Sequence, residues 1–225
     1  MSHVSLPPVI AIDGPSASGK GTVAKLVAQR LGFHFLDSGA LYRAVALAAL
    51  KAGVGLDDEA ALARVAAALD ISFDGDKIHM NQELVTDAIR SERISASTSE
   101  VAALPAVRQA LLKRQRAFRQ PPGLVADGRD MGAVVFPDAV LKIYLTADAA
   151  ERTRRRYKQL IEKGMDANMA TLLQDIRQRD ERDSARATAP LQKSDDASLL
   201  DTTKLSIAAA VEQVLARYAA AKQVP

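Results

Sequence analysis

The chain has 225 residues, 48% of them hydrophobic and only 4% aromatic, with a formal net charge of +3; this is enough chain for a large core packed on Ala, Leu, Val and Ile. It has no cysteine, which excludes disulfides, zinc–thiolate sites and cysteine nucleophiles and agrees with a reducing compartment. No run of about 18 apolar residues occurs, and the start "MSHVSLPP" lacks the basic region and hydrophobic stretch of a signal peptide, so a soluble cytoplasmic protein with no membrane partner is expected.

In chain order, the first predicted element is a strand over Val9 to Ile12. It runs into the glycine-rich "DGPSASGKGT" and then into a helix with Val23, Leu26, Val27 and Leu31 on its apolar face and Gly32 at its end. Strand, turn and helix form the setting in which G-x-x-x-x-G-K holds phosphate; here it is Gly14, Pro15, Ser16, Ala17, Ser18, Gly19 and Lys20. Backbone N–H groups curl around the anion, the helix N-terminus adds positive potential, and Lys20 reaches the β- and γ-phosphates. Where such loops usually carry Ser or Thr after the lysine, this chain has Gly21, with Thr22 one place later. Magnesium is therefore expected to rely more on water and phosphate oxygens than on a directly bound hydroxyl. The loop alone does not separate kinases from GTPase switches or motor ATPases, but no N-K-x-D segment for guanine occurs and the chain is short for a motor.

A second strand is predicted over Phe33 to Leu36, then a turn at Asp37-Ser38-Gly39 and a helix carrying Arg43. Between residues 70 and 87 the period changes: Ile71/Phe73 and Ile78/Met80 alternate around a glycine-containing turn, the pattern of an antiparallel hairpin. The run "RQALLKRQRAFR" (108–119) carries five bases and no acid, and "QPPG" closes it. A third strand, Leu124 to Ala126, leads to Asp127 in a Walker-B-like place, from which it either holds magnesium through water or orients the acceptor. A fourth strand spans Val140 to Leu145. After it come the basic "ERTRRRYKQLIEK", a break at "KGMDAN" (163–168), the mixed-charge "IRQRDERDSAR" (176–186) and a fifth strand at Ser198 to Leu200. Apolar strands separated by helices predict a parallel sheet covered on both faces. On a continuous helix Arg179, Arg182 and Arg186 share a face with Asp183, which reads either as a solvated salt-bridged surface or as a phosphate clamp. The basic stretches favour an anion. Aromatic residues to stack exposed bases do not run through them, so a small polyanion suits them better than nucleic acid. The histidines, His3, His34 and His79, show no metal-ligand spacing, and no resident metal is expected.

In this order, "GPSASGKGT", "LDSGALYR", "VADGRDMGAVVFPDA" and "RDERDSARATAPL" resemble the bacterial cytidylate kinases of the P-loop nucleoside monophosphate kinase superfamily, from Pro8 to about residue 205. The first motif is common to many nucleotide kinases; the last two together are specific. The resemblance implies one P-loop nucleotide kinase domain over residues 1–225, of α/β class with a five-stranded parallel sheet flanked by helices. Into it are set a monophosphate-binding insert at about 38–105 containing the antiparallel hairpin and a short helical lid at about 152–186. It implies ATP with Mg2+ as phosphoryl donor, CMP or dCMP as acceptor, no nucleic-acid partner and a monomer. Position by position, Gly14 to Thr22 and Arg156 would hold ATP. Ser38, Arg43, Arg129 and Arg186 would face the CMP phosphate, Arg179 and Asp183 the ribose hydroxyls, and Ser99, Arg108 and Asp130 the cytosine. Bland alternatives stand beside these: Ser38 as a helix cap, Arg108 as a surface residue, Asp183 as the i+4 partner of Arg179. Phosphoryl transfer between two polyanions needs positioning and cations rather than a strong base, which suits a catalytic set of Lys20, Arg129, Arg182, Arg186 and Asp127. Rival readings are a kinase for another small acceptor and a nucleic-acid binder that uses the basic helices.

Overall fold

Strands that are apolar at every position have no face to show to water, so they pair in parallel beneath helices. The structure, a computed structural model, describes residues 6–162, 164–186 and 188–222; His3 and Lys163, the first residue of the expected break at 163–168, lie outside them. The chain begins with β1 (Val9–Asp13), α1 (Lys20–Leu31), β2 (His34–Asp37), α2 (Ser38–Lys51) and α3 (Glu59–Ala67). It goes on through β3 (Ile71–Asp74), β4 (Lys77–Met80), β5 (Glu83–Leu84), α4 (Glu92–Val101) and α5 (Pro105–Ala117). Last come β6 (Leu124–Gly128), a π-helical segment (Met131–Val135), β7 (Leu141–Thr146), α6 (Ala149–Glu162), α7 (Met169–Ser184), β8 (Ser198–Asp201) and α8 (Ile207–Ala221). Two compact units result: the larger takes the chain up to Leu36 and from Phe118 onward, and the smaller is Asp37–Ala117.

The larger unit holds the expected five-stranded parallel sheet, in the order β2-β6-β1-β7-β8. Val9 to Ile12 and Leu124 to Ala126 are fully buried. Side-chain alternation sends Ile10 and Ile12 into a cluster with Val23 and Val27 of α1 and Val211 and Val214 of α8. Each such side chain contributes about 1.5–3 kcal/mol by leaving water. Because β1 and β6 pair in register, Ile12 opposite Asp127 and Asp13 opposite Gly128, their acidic ends finish together beside the loop that leads into α1.

In the smaller unit the expected antiparallel hairpin is present, with Ile71 opposite Met80 and Phe73 opposite Ile78. A third strand, β5, joins β4 and was not expected. Two residues are too few to show alternation, and the turn into β5 uses Asn81 and Gln82 at φ 50° and 65° rather than a glycine. The unit takes in α5, which packs along α3. The Ala106 N–H donates to Glu59 (2.7 Å) and Arg114 to the Leu69 carbonyl (2.5 Å), so part of the basic run is spent on structure.

Candidate active site

The chain leaves β1 at Gly14 with φ 156°, and a Cβ there would come 1.9 Å from the Leu145 carbonyl oxygen; only glycine fits. Beyond it the Pro15 carbonyl accepts from Ser18 Oγ (3.0 Å) and Lys20 Nζ (3.2 Å), and both donors are buried. Lys20 Nζ also lies 3.9 Å from Asp127. No side chain caps α1 and its first turn has no acid, so the N–H groups that open this helix suit an anion. Ser16 Oγ is buried without a hydrogen-bond partner among the described residues. Thr22, in the same turn, is exposed.

Position 21 has a definite steric demand: a Cβ on Gly21 would sit 3.0 Å from Asp127 Oδ2. The departure from Ser or Thr thus leaves room for the Asp127 carboxylate at the helix start. Beside it, Asp13 accepts from the N–H groups of Met131 (2.8 Å) and Gly132 (2.9 Å), tying the end of β1 to the loop after β6. Burial pushes the Asp13 carboxyl up to about 7, opposed by those two donors and assisted by the charges of Asp130 and Asp127. Asp130 is buried and opens the π-helical segment.

The arginines of "IRQRDERDSAR" do not line one face. Helix α7 stops at Ser184, so the i+7 geometry fails and Arg186 lies past the helix end. From there it turns back to Asp183 Oδ1, while Arg129 Nε donates to Asp183 Oδ2 at 2.8 Å. Asp183 is 1% exposed and the Arg186 side chain 6%. Burial alone would raise the Asp183 pKa, but Arg129 and Arg186 outweigh it and hold the carboxyl below its ordinary range. Burial likewise opposes the charge on Arg129, and Asp183 more than restores it. Arg179 is half-buried near the same carboxylate, whereas Arg182 is exposed, its Nε 3.4 Å from the Gln178 carbonyl.

On α6, the expected lid arm, Arg152 makes a bidentate pair with Asp180 of α7 (3.0 and 2.5 Å) and donates to the Ser16 carbonyl (3.2 Å). Arg155 donates to the Ser18 carbonyl (2.8 Å), Arg154 is exposed, and Arg156 is half-buried.

In the smaller unit, Ser38 is buried but does not cap α2. Asp37 does, accepting from the Ala40 N–H (2.9 Å), and its other oxygen accepts from Arg43 Nη2 (2.9 Å). Arg43 Nε and Ser99 Oγ are buried with no hydrogen-bond partner among the described residues, donors that a folded chain keeps unpaired at a cost of about 1–3 kcal/mol each unless a ligand meets them. Arg108 is more than a surface residue: it donates to the Ala102 carbonyl (3.0 Å) and lies 5.8 Å from the Tyr42 ring centroid.

A family model for cytidylate kinase matches residues 10–220. This chain belongs to the cytidylate kinase family. It is similar to the cytidylate kinase of Pseudomonas paraeruginosa, 61% identical over 214 residues that cover 92% of this chain and 93% of that one. It is 59% identical to that of Azotobacter vinelandii over 220 residues, covering 95% and 96%. With that of Bordetella pertussis it shares 59% identity over 208 residues, covering 92% and 93%. For a cytidylate kinase, the polar residues to which sequence reasoning gave no individual role are Asp13, Asp37, Arg152, Arg155 and Thr202, Arg152 and Arg155 having entered only as part of the basic stretch of the expected lid. Two of them carried a signal. An acid ending an apolar strand beside the phosphate loop marks Asp13, and an acid directly before a helix marks Asp37 as the cap. Arg152, Arg155 and Thr202 had none for the contacts that tie them to the loop, since Ser16 O and Ser18 O lie more than a hundred residues away in sequence.

Proposed function

We propose that the P-loop residues Gly14 to Thr22 and Arg156 bind ATP in this chain. In the smaller unit, Ser38 and Arg43 bind the CMP phosphate and Ser99 and Arg108 the cytosine; in the larger, Arg129 and Arg186 bind phosphate, Asp130 the cytosine amine, and Arg179 and Asp183 the ribose. The chain is an ATP-dependent kinase that transfers the γ-phosphoryl group to CMP or dCMP, giving CDP or dCDP and ADP. An oxygen of the CMP phosphate attacks the γ-phosphorus, and the bond to the ADP oxygen breaks in line with it. Lys20 and the loop amides hold the β- and γ-phosphates; Arg129, Arg182 and Arg186 offset the charge that crowds the transferring group.

The observation that carries the reading is the pair of guanidiniums on one buried carboxylate. Asp183 holds both in place, Arg129 through Nε and Arg186 through Nη2, so two planar guanidiniums are fixed together in a geometry that suits charge-assisted binding of phosphate oxygens. Magnesium fits this set as an ion brought by the nucleotide: Mg2+ keeps several waters and uses one or two carboxylates with phosphate oxygens, and Asp127 stands beside Lys20 at the loop. Asp127 would hold the ion through water, and the ion would supply positive charge against the negative charge that develops in phosphoryl transfer. Cytoplasmic location, a monomeric state and the absence of nucleic-acid and membrane partners complete the reading. Among the described residues no helix is long and apolar enough to cross a membrane. A coupled ADP-release assay across CMP, dCMP, UMP, AMP and shikimate tests it. Turnover is expected with CMP and dCMP and little with the others; a folded protein inactive on both cytidine acceptors overturns it.

A further inference from the structure

We infer that Arg155 is a positioning residue for the phosphate loop, one that sets the loop's amides from the outer side rather than touching nucleotide. The inference rests on the reading of Gly14 to Thr22 as the ATP site. In a trans peptide the carbonyl of one residue and the N–H of the next point in opposite directions, so a bond that draws a loop carbonyl outward turns the following N–H inward. Two loop carbonyls are held by side chains from outside the loop: Ser16 O accepts from Arg152 Nη1, and Ser18 O from Arg155 Nη1 (2.8 Å) and Thr202 Oγ1 (3.2 Å). The N–H groups set by these bonds belong to Ala17 and Gly19.

Arg155 has little left for a ligand. Its Nε donates to Glu151 (2.8 Å), Nη1 to Ser18 O and Thr202 Oγ1 (3.1 Å), and Nη2 to Thr202 O (2.7 Å). Of the five guanidinium donors, the sheet and the loop use most. Thr202 is 3% exposed and its hydroxyl also lies 3.0 Å from Thr146 O. Helix α6, the end of β8 and the loop are thus joined at one point, and the fork of an arginine is what lets one side chain hold three acceptors there.

The test uses Arg155→Met, Thr202→Val and the double variant. ADP affinity is read by titration calorimetry, and KM for ATP and CMP in those variants that turn over. Each single change is expected to weaken ADP and raise KM for ATP by about tenfold or more, the effect of losing one charge-assisted bond, while KM for CMP moves less than about twofold. The double variant is expected to match Arg155→Met, because both changes cut the same link. If Arg155→Met fails to fold, Arg155→Lys, which reaches fewer acceptors at once, is expected to give a milder loss of the same kind. Loss of ADP affinity in the arginine variants with none in Thr202→Val overturns the inference and places Arg155 on the nucleotide itself; unchanged ADP affinity in all of them overturns it too. A wild-type protein that binds ADP but phosphorylates no cytidine acceptor instead counts against the kinase reading, so the two failures are distinguishable.

Discussion

Replacing Asp183 by Asn keeps the shape of the side chain and removes the one charge that Arg129 and Arg186 share. Asp183 is 1% exposed, Arg186 6% and Arg129 16%, so water cannot substitute for the lost carboxylate. Removing one partner of a buried ion pair costs about 3–5 kcal/mol, and the partial exposure of Arg129 draws the expectation toward ~3 kcal/mol. For a chain of this length that corresponds to a fall in Tm of roughly 6–12 °C, to be measured by calorimetry in nucleotide-free buffer. The pH dependence supplies an internal control. Against burial, Arg129 and Arg186 hold the folded pKa of Asp183 below the ordinary carboxylate value of 3.8, so its contribution is fully present above that value and is lost as pH falls through the lower folded pKa. The gap between wild type and Asp183→Asn is therefore wide at neutral pH and closes only in acid. Inorganic phosphate should restore part of the loss, since the freed guanidiniums then take a phosphate oxygen as counter-ion. A neutral-pH loss below about 1 kcal/mol, or a gap that does not respond to acid, refutes the counter-ion role.

Lys20→Ala is expected to cut turnover by orders of magnitude in the ADP-release assay with unchanged circular dichroism, because it removes the preorganised cation at the donor phosphates; near-normal turnover would sink the P-loop assignment. Asp130→Asn should lose much CMP activity and narrow the CMP-to-UMP ratio of kcat/KM, since an amide can donate to the uracil O4 that a carboxylate repels; an unchanged ratio removes Asp130 from base selection. Asp13 has a carboxyl raised from 3.8 to about 7, so as pH rises through that window the unfolded chain gives up its proton before the folded one, and stability falls. Asp13→Asn removes that slope. Because the group is only partly buried by its surface, the wild-type curve should drop by about 1–2 kcal/mol relative to the variant across the window, well under the full linkage value; parallel denaturation curves at pH 5 and 7.5 would contradict it.

The parallel sheet was readable because its signal is local and redundant. Val9 to Ile12, Leu124 to Ala126 and Val140 to Leu145 are apolar at nearly every position and bounded by turn residues, and the strands appeared there with ends moved by one or two residues. The P-loop was readable because the steric demand at Gly14 leaves no other residue type. What escaped depends on chain reversal or on backbone partners. Arg186 was assigned to a helical face on the assumption that α7 continued, and nothing in "DSAR" marks the stop at Ser184. Ser38 was weighed as a cap although the acid before it fills that role, a case of two good capping residues in a row with only one in extended conformation.

The same cause accounts for how the site's charges are arranged. An isolated guanidinium under a protein surface is expensive, and arginines of the larger unit are matched to acids or satisfied by carbonyls accordingly: Arg129 and Arg186 on Asp183, Arg152 on Asp180, Arg155 on Glu151, Ser18 and Thr202. Two acids each serve two arginines: Glu151 pairs with Arg154 and Arg155 along an exposed helix turn, and Asp183 pairs with Arg129 and Arg186 where all three are buried or nearly so. Mixed runs such as "RDERDSAR" therefore read as neutral surface helices in sequence, since the count of charges nearly balances. Arg129 joins Asp183 from just after β6, 54 residues away along the chain, and no local pattern contains it.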